Sequence, residues 1–298
     1  MADADVATKA PESDAHDFSD VVVGEHCVTD RPTPSGQSAT GEIVDFNGVQ
    51  VYISKPADYP HAPSRLLLLL TGGTGIKSTN NQIQADKYAS AGFLVLMPDL
   101  FDGDTAPVAT AITDDSASLL DRFKIKAVEV TKSFMIDMWL ARITPDKVMP
   151  VLHRVIDAAR ERFADSVNGG GGIYAVGYCV GARFVLLLSR EIRDRYAASR
   201  GPHIKAGAIA HPASVVPDDF RHIKVPLSWV CIEDDPLFPD EVRSAGEKAL
   251  SDANLEHEVK VYPGVPHGFA VVGAYADASI DDAQATAYDQ MLNWIQEH

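Results

Sequence analysis

The sequence predicts an α/β protein built on a mostly parallel, doubly wound sheet with helices on both faces, and three observations predict it. Short continuous apolar runs, such as Arg65 to Leu70 and Ile173 to Tyr178, have the composition of strands buried on both faces. Stretches of helical pattern alternate with these runs, as a sheet wound from βαβ units requires. The one long departure, residues 101 to 165, carries helical pattern and no strand.

In chain order, residues 1 to 20 are polar and acidic with few apolar anchors and read as a disordered tail. Asp30 to Gly41, with Pro32, Pro34 and Gly36, reads as an irregular arm. Asn47-Gly48 between the β-rich runs Glu42 to Phe46 and Val49 to Ser54 is a strong hairpin signal. A buried strand at Arg65 to Leu70 is followed by a helix over Asn81 to Ala91 and a second buried strand at Phe93 to Met97. The insertion then offers helices over Ser116 to Arg142 and Pro145 to Phe163, which could form a lid or serve as ordinary crossovers. Further strands are expected at Ile173 to Tyr178, Ala206 to Ala210, Leu227 to Ile232 and Glu258 to Tyr262. The helices between and after them are Ala182 to Ala197, Asp240 to Ala253 and Asp281 to Glu297. Together they make one domain from 21 to 298. Ligands in such sheets bind beyond the carboxyl ends of the strands, so chemistry is sought there.

Composition narrows the function classes. A formal charge of −16 over 298 residues argues against nucleic acid, which selects basic surfaces. No apolar run approaches the roughly 20 residues of a membrane span, and the N-terminus lacks a secretory h-region. Three cysteines, Cys27, Cys179 and Cys231, form no disulfide framework or zinc-finger spacing. The expectation is a cytoplasmic protein, monomer or homodimer, that meets small molecules and needs no metal or organic cofactor.

The chemistry-bearing motif is Gly177-Tyr178-Cys179-Val180-Gly181. It follows the strand Ile173 to Tyr178 and precedes an apolar helix, the strand–turn–helix setting of a nucleophile elbow in the α/β-hydrolase fold. Two glycines permit the tight turn, which lifts Cys179 to the strand end and turns the Val180 N–H toward a reacting carbonyl. The helix N-terminus behind it favours a thiolate and an oxyanion.

In that fold the acid and the histidine follow the nucleophile along the chain. His267, in Pro263-Gly264-Val265-Pro266-His267-Gly268-Phe269, sits in a glycine-containing loop after the last strand and is the expected base. His222 and His257 lie in polar surroundings, and His211 ends a strand and is expected in the substrate pocket. The orienting acid falls after Leu227 to Ile232, where Asp235 is favoured over Asp234 because Asp235-Pro236 starts a tight turn. The loop Thr71-Gly72-Gly73-Thr74-Gly75 is expected to give the second oxyanion donor from Gly73, with Thr74 beside the substrate. The adjoining Gly75-Ile76-Lys77-Ser78 is no phosphate loop, since Ile76 and Thr71 stand where glycines are needed.

These residues, together with Thr79 to Ala89, Gly92 to Phe101, Ala210-His211-Pro212 and His267 to Ala270, make the chain resemble the dienelactone hydrolase family, particularly its fungal-type branch, over about residues 25 to 298. The resemblance implies a Cys179-His267-Asp235 triad, no metal or organic cofactor, and hydrolysis through an acyl-cysteine. Two positions depart from the family. Classical members place a Glu in the turn after the strand matching Leu66 to Leu70, paired with the resting cysteine, whereas Gly72 or a neighbour stands there here. They also place a carboxylate-binding arginine four residues after the histidine, where this chain has Val271. A neutral lactone or ester is therefore the expected substrate, with Arg122, Lys126 or Arg142 from the insertion as compensating cations. Cys179 is expected to rest as a thiolate–imidazolium pair with His267 or as a neutral thiol. A non-hydrolytic binder or isomerase and a redox sensor through Cys179 are the competing readings.

Overall fold

The computed structural model describes residues 30–107, 135–193 and 199–298. The expected tail, Cys27, Arg122, Lys126 and the insertion from 108 to 134 lie outside the described residues.

The Asn-Gly signal produces the expected hairpin. Strands β1 (Glu42–Asp45) and β2 (Gln50–Ser54) pair antiparallel, and both Asn47 and Gly48 adopt positive φ, the geometry of a turn that matches strand twist. Next come β3 (Arg65–Leu70), α1 (Thr79–Ser90), β4 (Phe93–Pro98), α2 (Pro145–Arg162) and α3 (Ala164–Gly169). Then follow β5 (Ile173–Tyr178), α4 (Val180–Leu188), the small strands β6 (Ile192–Arg193) and β7 (Ser199–Arg200), and β8 (Ala206–Ala210). The chain closes with β9 (Leu227–Ile232), α5 (Asp240–Asp252), β10 (His257–Tyr262) and α6 (Ala278–Glu297). Eight strands form one sheet in the order β1-β2-β4-β3-β5-β8-β9-β10. From β4 through β10 every pairing in it is parallel.

The apolar run at β3 is explained by layers on both faces. Leu66, Leu68 and Leu70 join one core with Val155 and Ile156 of α2, Phe184 of α4 and Leu250 of α5. Leu67 and Leu69 join the other, with Tyr88 of α1 and Met291 and Ile295 of α6. Side chains alternate across a strand, so a strand between two helical layers is apolar at every position.

Of the insertion, residues 101–107 are irregular and the described remainder is mostly helical. Residues 135–142 are helical, and α2 buries Val148, Leu152, Val155 and Ile156 against the sheet as a crossover helix.

One expected helix is shorter than its pattern. In the stretch Ala182 to Ala197 the helix ends at Leu188, and residues 194–197 lie outside the described residues. Ser189 returns its hydroxyl to the Val185 carbonyl, Arg190 then bridges to Ile223, and Glu191 N–H donates to the His222 carbonyl. Pairing with the segment after β8 overrides the helix-forming residues Arg190 and Glu191.

Candidate active site

The carboxyl ends of β3, β5, β8 and β9 meet at one cleft, and β5 delivers Cys179 to it. The strand ends at Tyr178 and α4 starts at Val180, so the chain reverses at Cys179 alone, with φ 52° and ψ −122°. A positive φ in a residue other than glycine costs on the order of 1–3 kcal/mol and persists only where its surroundings fix it. Here the Cys179 N–H donates to the Ala210 carbonyl at 3.1 Å, and its carbonyl accepts from Ala182 and Ala213 at 3.1 Å each. The flanking glycines are sterically required. A Cβ on Gly177 would stand 2.7 Å from the Gly181 carbonyl oxygen, and one on Gly181 would strike the Leu70 carbonyl.

After β10, the loop 263–273 brings His267 over the same cleft. Gln284 of α6 donates to the Phe269 and Val271 carbonyls at 2.9 and 2.7 Å, and Gln84 of α1 accepts from Val272 N–H at 3.0 Å. Buried His267 Nδ1 lies 2.8 Å from Asp235 Oδ2. Asp235 is 5% exposed, and its other oxygen accepts from Leu237 N–H at 3.0 Å. Asp234, in contrast, is exposed at φ 54°. The turn at Asp235-Pro236 thus sends the second aspartate inward and the first to solvent.

His267 Nε2 is buried with no hydrogen-bond partner among the described residues, and the Cys179 side chain is close enough to raise the proton affinity of the ring. Burial is the largest single influence on His267 and disfavours its charge. The hydrogen bond that His267 donates to Asp235 and the interactions with Cys179 outweigh it together and push the pKa up to about 10.

Of the expected oxyanion donors, Val180 is the first residue of α4, so its N–H has no intrahelical acceptor. Gly73 lines the cleft, and its peptide is fixed by the Ala106 N–H donating to its carbonyl at 2.9 Å. Thr74 and His211 also line it. Arg142 does not: it forms a two-pronged ion pair with Asp104 at the surface, with Oδ distances of 3.1–3.2 Å. That pairing, on a helix turned toward Asp104 by the Trp139 indole bond to the Asp104 carbonyl, takes Arg142 away from the site.

Both departures from the family fall on the cleft. A Cβ at Gly72 would lie 3.1 Å from Cys179 Cβ and 3.8 Å from its sulfur, so the missing acid's position is beside the thiol. Val271 lines the opposite side. Residues not singled out from the sequence complete the lining: Asp30, Arg31, Asn80, Asn81 and Tyr275. Asp30 accepts from the Ser78 hydroxyl at 2.7 Å, Asn80 donates to the Arg31 carbonyl at 2.6 Å, and the Arg31 guanidinium lies 5.0 Å from the Tyr275 ring centre. The irregular arm is therefore a wall of the site. Burial raises the Asp30 pKa above the ordinary carboxylate value.

Cys231 is 1% exposed in β9, and burial pushes its thiol up to about 12; Cys27 lies outside the described residues. Among the described residues, no helix is long and apolar enough to cross a membrane.

Comparison with known proteins places this geometry. Hydrolase pyvD of Aspergillus violaceofuscus is 29% identical over 258 residues, covering 87% of this chain and 90% of that protein. Dienlactone hydrolase 1 of Gibberella moniliformis is 28% identical over 257 residues, covering 86% and 87%. A solved dienelactone hydrolase-like promiscuous phosphotriesterase from metagenomic libraries shares the fold at 17% identity and a TM-score of 0.55, over 88% of this chain and 99% of that one. The model of the dienelactone hydrolase family matches residues 49–298. On sheet order, elbow and match alike, the chain belongs to the dienelactone hydrolase family and is a hydrolase of ester or lactone bonds.

Proposed function

We propose that the protein hydrolyses neutral lactones or activated esters through an acyl-Cys179 intermediate, with His267 as acid–base and Asp235 as its orienter. The observation that carries this reading is the His267–Asp235 hydrogen bond of 2.8 Å, in a buried cleft also lined by the elbow cysteine.

The raised pKa of His267 favours a resting thiolate–imidazolium pair. The Cys179 thiolate attacks the carbonyl carbon, forming a C–S bond and an oxyanion held by the Val180 and Gly73 N–H groups. Collapse breaks the C–O bond, and His267 Nε2 gives its proton to the departing alkoxide. Water then attacks the thioester and passes a proton to His267. The C–S bond breaks, the thiolate leaves with the electron pair, and the product acid departs. Asp235 holds Nδ1–H throughout, fixing the tautomer in which Nε2 exchanges protons. This cycle needs no carboxylate at Gly72, because the imidazolium stabilises the thiolate.

A neutral substrate is supported by the lining. Val271 replaces the family's arginine, and the nearest wall carries Asp30 alongside Arg31. The relatives' names, a hydrolase and a dienlactone hydrolase, agree with this reaction class.

Cys179→Ala tests the proposal with an aryl acetate and a panel of lactones. Loss of a nucleophile in such triads costs on the order of 10⁵–10⁶ in kcat. Retained turnover in a folded Cys179→Ala would remove the reading.

A further inference from the structure

The triad leaves one buried titratable group of the cleft without a task. His211, at the end of β8, is 1% exposed, and both of its ring nitrogens lack a hydrogen-bond partner. It lines the cleft with Cys179, and its ring stands 4.9 Å from that of His267 in an edge-to-face arrangement. Its backbone is strained as well, at φ 36°, and is held by its N–H donating to the Val230 carbonyl at 2.8 Å.

Packing does not account for these features. A buried polar group without a partner is unfavourable, and a phenylalanine would fill the space between Tyr178 and Phe269 without orphan nitrogens. A buried imidazole with no hydrogen bond from its ring to the protein, beside the reacting atoms, is placed to bind a small polar molecule in the cleft. Burial, and next the neighbouring His267, hold the His211 pKa well below its usual value, so the ring is neutral. A neutral imidazole offers one donor and one acceptor, which suits water or a hydroxyl better than a carboxylate. The free volume of the cleft, about 30 Å³, has room for a water or two. During deacylation that water must lie within reach of His267 Nε2, and His211 is the other imidazole at that position.

We propose that His211 binds the water that hydrolyses acyl-Cys179 and holds it against His267. The inference rests on the reading of Cys179 as nucleophile. His211 takes no proton from the water. Its acceptor nitrogen receives one O–H while the other O–H proton passes to His267 as the oxygen–carbon bond forms. Acylation has no such water and does not need His211.

Rapid-mixing kinetics with an aryl acetate, joined to acid-quench mass spectrometry of Cys179, separates the two half-reactions. In His211→Phe, release of the first equivalent of phenol is slowed far less than turnover. Steady-state turnover falls about 10–100-fold, as expected when a reactant loses its positioning, and acyl-enzyme accumulates. His211→Asn, whose amide tolerates positive φ and offers a donor and an acceptor, accumulates less. His211→Ala carries the same expectation as Phe should the latter fail to fold, with added imidazole restoring turnover. A folded variant with unchanged steady state, or one whose burst and steady state fall together, overturns the proposal. Turnover surviving in Cys179→Ala overturns the nucleophile reading instead, whatever the His211 variants do.

Discussion

His267 and His211 stand 4.9 Å apart in one buried cleft, yet their surroundings are opposite. His267 rides on a loop, with Asp235 bonded to its Nδ1 and the Cys179 side chain near enough to raise its proton affinity. His211 is fixed at a strand end among Tyr178 and Phe269, with neither nitrogen satisfied. The first environment raises the affinity for a proton and the second lowers it well below the usual value. Burial acts in the same direction on both and is the largest influence on each. A buried carboxylate and a thiol are therefore what separates a proton carrier from a neutral ring. In the proposed mechanism the difference also divides the work: one ring moves charge, and the other aligns a neutral molecule.

The widest expected effect comes from erasing that difference. Asp235→Asn keeps the volume but presents an amide to Nδ1, so the ring loses its charge partner and its fixed tautomer. By the cost of the equivalent change in serine triads, kcat should fall on the order of 10⁴-fold. The pH profile should shift with it, because His267 will no longer stay protonated toward pH 10. Stopped-flow assays of an aryl ester between pH 5 and 10 check both. A variant that keeps its wild-type profile would show that Asp235 does not set the state of His267.

Stability should report the same contrast with opposite signs. The folded pKa of His267, about 10, lies above its unfolded value. Its contribution is fully present below about pH 6.5, and is lost as pH rises through 10. The folded pKa of His211 is depressed, so the unfolded chain gains the proton first, and stability is lost as pH falls through about 6.5. Urea midpoints of wild type, His267→Gln and His211→Phe across pH 5 to 10 isolate the two terms. The wild-type advantage over His267→Gln should shrink at high pH. His211→Phe should lose less than wild type on acidification. Parallel curves for all three proteins would break the comparison.

The two corners were not equally legible in the sequence. The elbow was readable because two glycines, a strand and an apolar helix must coincide to turn the chain at one residue. His267 was readable from its loop after the last strand. Choosing Asp235 over Asp234 needed the Asp-Pro turn, and their side chains diverge in burial as that turn implies. His211 was placed in the pocket by its strand end, but its unsatisfied nitrogens depend on tertiary neighbours that no local pattern encodes. Asp30 and Arg31 were missed for a related reason. An irregular arm has no periodicity, and it is tied to the cleft by hydrogen bonds from residues distant in sequence, among them Ser78, Asn80 and Ala274. Arg142 erred the other way: a cation on a helix pattern invites a role, but Asp104 pairs with it at the surface.

The smallest expected effect tests whether the loop under His267 matters beyond its chemistry. Gln284 donates to the Phe269 and Val271 carbonyls from a half-buried position on α6, one turn of structure away from the ring it steadies. Replacing it with Ala removes these bonds, each worth about 0.5–1.5 kcal/mol net, without touching Asp235, Cys179 or His211. The melting temperature should drop by a few degrees, as expected for about 1 kcal/mol in a domain of this size. kcat should fall several-fold, because Nε2 samples positions away from the thiol, while the pH profile stays in place because the partners of Nδ1 are intact. A shifted profile would mean that the loop, rather than Asp235, sets the proton affinity of His267. An unchanged kcat would mean that Asp235 alone anchors the ring. Either result would redraw the boundary between the carboxylate that charges this imidazole and the loop that aims it.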